Sequence, residues 1–193
     1  MKRFYFNDNE EINQDVYTAG PLFTPSQIKT CETIETALKD RAITFFSPRL
    51  DTAEAGKQLG TATQLLAKTD ENTDKAIKAK LLSDRLAAAK DIFEANCKAI
   101  ETSLAVVACI DDRDPGTMFE IGYAVAKDIP VFTYSTQGYG VNIMIGQSTI
   151  QHFTDIATLV QCLDECLKDT ADFGSVSQDT IDKYSVVDER EQI

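Results

Sequence analysis

Short apolar runs alternate with amphipathic segments along most of the chain. Turn residues such as Gly20-Pro21 and Ser47-Pro48 bound the runs, which predict strands, and apolar residues three and four positions apart predict the helices between them. The predicted strands cover 15–19, 43–46, 104–110, 130–134 and 149–153, and the predicted helices cover 25–38, 91–102, 117–127 and 156–167. Phe4 to Phe6 predict a further short strand or hairpin arm.

The run 104–110 is the clearest strand prediction, because it is continuously apolar and lies between a helix and a turn. Such a run suits a central parallel strand that is buried on both faces. Strands that alternate with helices predict a parallel sheet with helices on both sides, and right-handed crossovers favour a doubly wound α/β fold. We therefore expect a flavodoxin-like or Rossmann-like sheet of about five strands.

The segment 51–90 differs from its surroundings, since it is rich in Ala, Lys, Thr, Asp and Gln and has only a weak apolar stripe. It predicts a helical insertion at a sheet edge or a subunit interface, and a lid over a site is the alternative. We expect one domain over 1–168 that includes this insertion. A polar tail is expected over 169–193.

The net charge of −12 argues against a nucleic-acid partner, because a phosphate backbone is bound by basic surfaces. A small nucleoside or nucleotide ligand remains compatible with that charge. No apolar run approaches the length of a membrane span, and residues 1–8 lack the apolar core of a signal peptide. We therefore expect no membrane partner and a cytoplasmic location.

Five scattered cysteines with no Cys-x-x-Cys pair suit a reducing compartment and core packing. Cys109 falls in the central strand, and Cys162 and Cys166 share one face of a predicted helix. The one histidine, His152, has no ligand spacing beside it and is expected to be structural. The sequence therefore predicts neither a metal site nor a cofactor.

The most informative segment is 111–124, which reads DDRDPGTMFEIGYA and links the central strand to the next helix. One interpretation needs no function, because Thr117 and Glu120 have the spacing of a capping box at a helix start. The other interpretation is catalytic. The carboxylates of this segment are crowded, and such crowding drives their pKa values apart, which separates an acid from a base or nucleophile. The segment also follows the carboxyl end of a strand, where ligands bind in parallel sheets. A helix start would in addition keep the Glu120 carboxylate ionised.

The turn after the first strand is a second candidate. Gly20 would let a ligand approach the backbone, although the residues by themselves favour a plain tight turn. The stretch 18–23 lacks the glycine spacing of dinucleotide folds and the Lys-Ser/Thr end of a P-loop.

Together these segments resemble the nucleoside 2-deoxyribosyltransferase family. The stretch 16–23, VYTAGPLF, is similar to its first strand and loop, and D-x-x-D-P-G-T-x-x-E-I-G-Y-A over 111–124 is similar to its second motif. The stretch 129–131 and the Asn-x-Met at 142–144 follow in the family's order. The resemblance covers roughly 14–165, without the insertion.

The resemblance implies a double displacement in which Glu120 attacks C1′ of a 2′-deoxynucleoside. Asp114 would contact the base and help to protonate it, and Tyr17 would position Glu120. Asn142 would reach the sugar of a neighbouring subunit's site, so a homo-oligomer is implied. Further substrate contacts are implied at positions that match the family's motifs: Gly20, Asp111, Gly116 and Met144.

Asn96 departs from the family, because many members carry an aspartate there, and an amide can hydrogen-bond but cannot act as an acid. The resemblance therefore leaves the base preference open. It also implies an alternative activity, the hydrolysis of 2′-deoxynucleoside 5′-monophosphates. The first loop offers threonines but no arginine for a phosphate, which favours the nucleoside. A non-catalytic nucleotide-binding module is the third possibility.

Overall fold

A computed structural model describes residues 11–138, 141–173 and 179–180, so the predicted strand at Phe4 to Phe6 and most of the predicted tail lie outside the described residues. The strands are β1 (Gln14–Ala19), β2 (Phe45–Phe46), β3 (Ser103–Cys109), β4 (Val131–Tyr134) and β5 (Gln151–Phe153). The helices are α1 (Pro25–Asp40), α2 (Pro48–Asp51), α3 (Ala53–Ala67), α4 (Lys75–Glu101), α5 (Pro115–Ala126), α6 (Ile143–Ser148) and α7 (Ile156–Phe173).

The five strands form one parallel sheet in the order β2-β1-β3-β4-β5. This arrangement confirms the predicted doubly wound α/β fold. The strand order reverses between β1 and β3, and in open α/β sheets the crevice at such a reversal is where ligands bind. The fold therefore directs attention to the carboxyl ends of these two strands.

The central strands are buried on both faces because their side chains alternate between two hydrophobic clusters. Val16 and Ala105 belong to the cluster that includes side chains of α1 and α7. Tyr17 and Val106 belong to the other cluster, which includes Ile121 of α5. The alternation therefore fixes Tyr17 on the α5 face of the sheet.

Several element bounds differ from the predicted ones. Helix α5 begins at Pro115, two residues before the predicted start, because Asp114 rather than Thr117 is its N-cap. The helix predicted over 91–102 is the end of the much longer α4, and α7 continues to Phe173, past the predicted start of the tail. Within the described ranges, no helix is both long enough and apolar enough to cross a bilayer.

The described chain divides into two compact units. The first comprises residues 1–46 and 99–193 and holds the sheet, and the second comprises Ser47–Lys98. The second unit contains α2, α3 and most of α4, so the predicted insertion at 51–90 is helical but has wider bounds.

His152 lies on β5, where its Nδ1 is 3.0 Å from the Thr133 hydroxyl of β4. This contact joins two neighbouring strands.

The cysteines differ sharply in their surroundings. Cys31, Cys109, Cys162 and Cys166 are buried, whereas Cys97 is half-buried. Burial raises the pKa of the Cys109 thiol to about 12. A hydrogen bond with Cys162, and then burial, raise the pKa of Cys166. Because the thiolate is the reactive form, buried thiols of this kind react slowly.

We expect a thiol reagent at neutral pH to label Cys97 rapidly in the native protein and the remaining cysteines only after denaturation. The measurement is a time course of labelling followed by peptide mass spectrometry. Cys97→Ala should remove the rapid phase. A second rapidly labelled cysteine in the folded protein would contradict the described core.

Candidate functional site

Tyr17 and Glu120 form the central contact of the site. Tyr17 is fully buried on β1, and its hydroxyl donates to Glu120 Oε1 over 2.5 Å. The Tyr17 ring is stacked on Phe46 of β2, with centroids 5.7 Å apart. Because the tyrosine is buried and stacked, its short hydrogen bond restricts the Glu120 carboxylate to one position. This position lies on the α5 face of the sheet, beside β1, where the strand order reverses.

The capping-box interpretation of Glu120 is wrong. The Asp114 Oδ2 atom caps α5, accepting from the Thr117 backbone N–H over 2.7 Å and from its hydroxyl over 2.9 Å. Glu120 is the sixth helical residue, in the second turn. The expectation that the helix start keeps Glu120 ionised also fails, because that effect is confined to the first turn. The hydrogen bond from Tyr17 fixes the orientation of the Glu120 side chain.

The lack of a side chain at Gly116 leaves room for the Asp114 carboxylate to reach the backbone N–H of Thr117. A Cβ atom at residue 116 would lie 3.0 Å from Asp114 Oδ2, which is tighter than ordinary contact. Within the described part of the chain, the hydrogen bonds of the Asp114 carboxylate are made by Oδ2, so Oδ1 can accept or donate to a ligand. Six residues of helix separate Asp114 from Glu120 by about 9 Å along the axis.

Asp111 lies just after β3 and binds the loop that follows β4. It is buried, and its carboxylate accepts from the Ser135 hydroxyl over 2.7 Å and from the Thr136 hydroxyl over 2.6 Å. The Thr136 backbone N–H adds a third bond over 2.9 Å. These bonds join the end of β3 to the loop that follows β4, so the carboxylate is engaged within the protein.

Gly20 lies where β1 ends, and its surroundings are tightly packed. A Cβ atom there would lie 2.9 Å from the Cys31 Sγ atom and 3.3 Å from the Cys109 Cβ atom. The residue therefore has to be small because α1 and β3 approach the backbone. This finding favours packing as the reason for the glycine.

The remaining predicted site residues belong to the segment of α6 and to α4. The Asn142 side chain caps α6, with its Oδ1 atom accepting from the Met144 backbone N–H over 2.9 Å. The Met144 side chain is 74% exposed. Asn96 lies on α4 in the second compact unit. The roles of all three as substrate contacts stay predictions.

Sequence reasoning missed the part played by Asp112. Its carboxylate accepts from the Gln27 amide over 2.8 Å and from the Gln137 amide over 2.7 Å. Gln27 belongs to the capping box that begins α1, and its Oε1 accepts from the Phe23 and Thr24 backbone N–H groups. One side chain therefore ties together the loops that follow β1, β3 and β4.

The conformation and charge of Asp112 suit this linking role. Its φ of 58° is left-handed, which aspartate tolerates better than most residues do. The hydrogen bonds from Gln137 and then Gln27 hold the pKa of Asp112 below its ordinary value of 3.8. The stability that they contribute is therefore complete above pH 3.8 and is lost as the pH falls through the lower folded pKa.

A second missed group anchors α5. The Tyr123 hydroxyl donates to Glu101 Oε1 over 2.6 Å, and the Lys127 ammonium lies 2.7 Å from the same atom. The hydrogen bond and negative charge of Glu101 raise the pKa of Lys127. The Tyr123 ring also stacks on Phe119, with centroids 5.9 Å apart. The two contacts with Glu101 hold the helix on the C-terminal side of Glu120.

In the described ranges, no group of three or more His, Cys, Asp or Glu residues is arranged to hold a metal ion. The chemistry available to the described site is that of two carboxylates and a tyrosine hydroxyl. A carboxylate fixed by a tyrosine can act as a nucleophile or as a base, and a second carboxylate at the helix start can contact a ligand.

Comparisons with known proteins identify the family of the chain. The family model of nucleoside 2-deoxyribosyltransferase matches residues 16–152, a range that includes Tyr17, Asp114, Glu120 and Asn142. No curated protein sequence matches the chain significantly.

Two solved structures are similar to the chain. The 2-deoxyribosyltransferase of the psychrotolerant bacterium Bacillus psychrosaccharolyticus is 26% identical, with a TM-score of 0.51 over 76% of this chain and 90% of that one. A conserved protein of Enterococcus faecalis V583 is 19% identical, with a TM-score of 0.53 over 79% of this chain and 98% of that one, and this likeness shows the fold alone.

We expect Gly20→Ala to destabilise the protein by about 1–3 kcal/mol, because the added methyl overpacks a closed site. The double variant Gly20→Ala/Cys31→Ala should lose less stability than the two single variants together, since the shortened side chain makes room for the methyl. Urea denaturation of the four proteins gives this interaction free energy. Strictly additive losses would show that Cys31 is not what excludes a side chain at position 20.

We expect Asp112→Asn to speed amide hydrogen exchange in the segments 20–27 and 135–138, because the new amide cannot accept from Gln27 and Gln137 as the carboxylate does. Strand β3 should keep its protection. Asp128→Asn is the matched control, since Asp128 also has a φ of 58° and its side chain is exposed. If both variants exchange their amide hydrogens at the same rate in these segments, the Asp112 side chain does not hold the loops together.

Proposed function

Because the chain belongs to the nucleoside 2-deoxyribosyltransferase family, we propose that it transfers 2-deoxyribose between purine and pyrimidine bases. The observation that carries the proposal is the 2.5 Å hydrogen bond between the Tyr17 hydroxyl and Glu120 Oε1 at the reversal point of the sheet. This bond holds one carboxylate in a fixed orientation, as a covalent nucleophile requires.

In the proposed first step, a carboxylate oxygen of Glu120 attacks C1′ of a 2′-deoxynucleoside from the face opposite the base. The new C1′–O bond forms as the C1′–N bond breaks, and the bonding electron pair leaves with the base. The product is a deoxyribosyl ester of Glu120. The departing base takes up a proton, for which Asp114 Oδ1 is the proposed contact.

In the second step, a nitrogen of an incoming base attacks the same C1′ atom and displaces the Glu120 carboxylate. The incoming base gives up one proton, so the atoms and charges of the two steps balance. Two inversions at C1′ give net retention, as in retaining glycosidases. Water can replace the second base, and some hydrolysis should therefore accompany transfer.

The two residues divide these roles along one helix. Glu120 is held by Tyr17 on the sheet side, and Asp114 lies at the helix start, six residues earlier in the chain.

Further parts of the proposal rest on the family resemblance. Asn142 and Met144 would complete the site of a neighbouring subunit in a homo-oligomer, and their exposed position on α6 is compatible with this role. Gly20, Asn96, Asp111 and Gly116 would line or shape the substrate site. The proposed setting is nucleoside salvage in the cytoplasm.

A transfer assay tests the proposal. The protein is incubated with deoxyinosine and adenine, and in parallel with a 2′-deoxynucleoside 5′-monophosphate alone, and the products are separated by chromatography. We expect deoxyadenosine in the first reaction. Base released from the monophosphate alone would show a hydrolase instead, and no turnover across several bases would leave a binding module.

We expect Glu120→Gln to lower kcat by at least about 1,000-fold without unfolding the protein, because the nucleophile is lost. Intact-protein mass spectrometry after addition of a deoxynucleoside should detect one added deoxyribosyl group in the wild type and none in Glu120→Gln. Glu94→Gln, an exposed substitution on α4, is the control. Turnover retained in folded Glu120→Gln would refute the assignment.

We expect Tyr17→Phe to lower kcat by about 10- to 100-fold with little change in KM, because the nucleophile remains but is no longer held in place. Tyr134→Phe removes another buried tyrosine hydroxyl from the same sheet and should leave kcat near the wild-type value. Equal losses of kcat in both variants would point to a general effect on the sheet.

A further inference from the structure

Two glutamine amides determine which side chain fits at position 112. The Gln27 Oε1 atom accepts from two backbone N–H groups just before α1, so its Nε2 atom faces Asp112. The Gln137 Oε1 atom accepts from the Asp112 backbone N–H over 3.2 Å, so its Nε2 atom also faces the carboxylate. A carboxylate accepts from both amides, whereas an asparagine, with one acceptor oxygen, would set a donor against a donor.

The hydrogen bond from Gln27 crosses the point where the strand order reverses. Gln27 is the third residue of α1, which packs on one face of the sheet. Asp112 lies between β3 and α5, and α5 packs on the other face. Ligands of open α/β sheets bind in the crevice at such a reversal. The bond therefore spans the mouth of the proposed substrate site.

The loop that carries Asp112 keeps its shape through contacts outside itself. Asp112 and Arg113 are successive residues with left-handed φ angles of 58° and 53°. Residues with a Cβ atom disfavour this conformation and hold it where the surrounding contacts impose it. Asp114, the proposed contact of the base, follows directly as the N-cap of α5. The position of its carboxylate therefore depends on how the loop is held.

The hydrogen bonds of Asp112 are accessible to water. Asp112 and Gln137 are exposed, and Gln27 is half-buried. Exposed bonds open at a lower free-energy cost than buried ones, such as the bond from Ser135 to Asp111. In the proposed reaction one base leaves and another enters, so a link that opens and closes again suits this position.

We propose that Asp112 is a positioning residue of the transfer reaction, whose bonds to Gln27 and Gln137 close the site around the base and exclude water. This inference rests on the proposed function. The closed loop holds Asp114 beside the incoming base and shields the deoxyribosyl ester of Glu120 from water. Asp112 acts through the loop and not on the reacting atoms.

Two reactions compete for that ester, and their ratio reports on the closure. Transfer forms a C1′–N bond to the incoming base, and hydrolysis forms a C1′–O bond to water. In both, the C1′–O bond to Glu120 breaks, the carboxylate is released and the attacking group gives up one proton. A loop that closes poorly slows transfer and admits water, so the ratio of hydrolysis to transfer rises. A smaller folded fraction lowers both rates equally and leaves the ratio unchanged.

The ratio is measured with deoxyinosine and adenine, as 2-deoxyribose released against deoxyadenosine formed. We expect Asp112→Asn to raise it by about 10-fold or more, and Gln137→Ala, which removes one exposed donor, by about threefold. Asp128→Asn is the matched control and should leave the ratio unchanged, because Asp128 has the same φ and an exposed side chain. Circular dichroism confirms that each variant is folded.

The double variant Asp112→Asn/Gln137→Glu gives the decisive result. Its asparagine can accept from Gln27 with the amide oxygen and donate with the amide nitrogen to one oxygen of the new glutamate. The other glutamate oxygen can accept from the backbone N–H of residue 112, and the net charge equals that of the wild type. We expect the ratio to return to within about twofold of the wild-type value, because the two changes compensate each other.

The results distinguish this inference from the proposed function. If the wild type transfers deoxyribose but Gln137→Ala and folded Asp112→Asn keep its ratio, the inference is overturned and the proposed function stands. A double variant that hydrolyses as much as Asp112→Asn, or an equal rise in Asp128→Asn, has the same consequence. A wild-type protein that makes no deoxyadenosine overturns the proposed function and this inference with it.

Discussion

The parallel pairing of β1 with β3 is the constraint on which the site depends. The register runs from Gln14 opposite Ser103 to Ala19 opposite Ala108. A shift of one residue would turn Tyr17 to the other face of the sheet, away from Glu120. The hydrophobic pattern that fills the two halves of the core therefore also fixes the position of the Tyr17 contact with the proposed nucleophile.

Helix α5 receives its position from contacts on either side of Glu120. Asp114 caps its start, and Glu101 binds both Tyr123 and Lys127 beyond the proposed nucleophile. A carboxylate on a helix that is held in this way has a fixed position before a ligand binds. Preorganisation of this kind is what positions a reacting group before the substrate binds.

The sequence predicted the sheet and most of its helices because the apolar runs and helical periods are strong in the first unit. It did not predict the continuity of α4, since the apolar stripe over 51–90 is weak. The start of α5 was misplaced because Asp114 and Thr117 both have the residue type of an N-cap, and only the folded chain decides between them. Periodicity also cannot predict the hydrogen bonds of Asp112, because its partners Gln27 and Gln137 are 85 and 25 positions away along the chain.

The pairing of Tyr17 with Glu120 joins residues 103 positions apart, so no local pattern could reveal it. The resemblance to a family supplied that expectation, and the alternation along β1 explains it. The close packing around Gly20 was equally hidden from local patterns, because the atoms that crowd it come from α1 and β3.

Asp114 joins an observed task and a proposed one. Its carboxylate caps α5, and asparagine caps a helix about as well as aspartate does. A lineage could therefore exchange Asp114 for asparagine with little loss of folding stability and still lose the ionisable group that we propose to contact the base. Selection for a stable fold alone would not preserve the chemistry at this position, and only selection on turnover would maintain the aspartate.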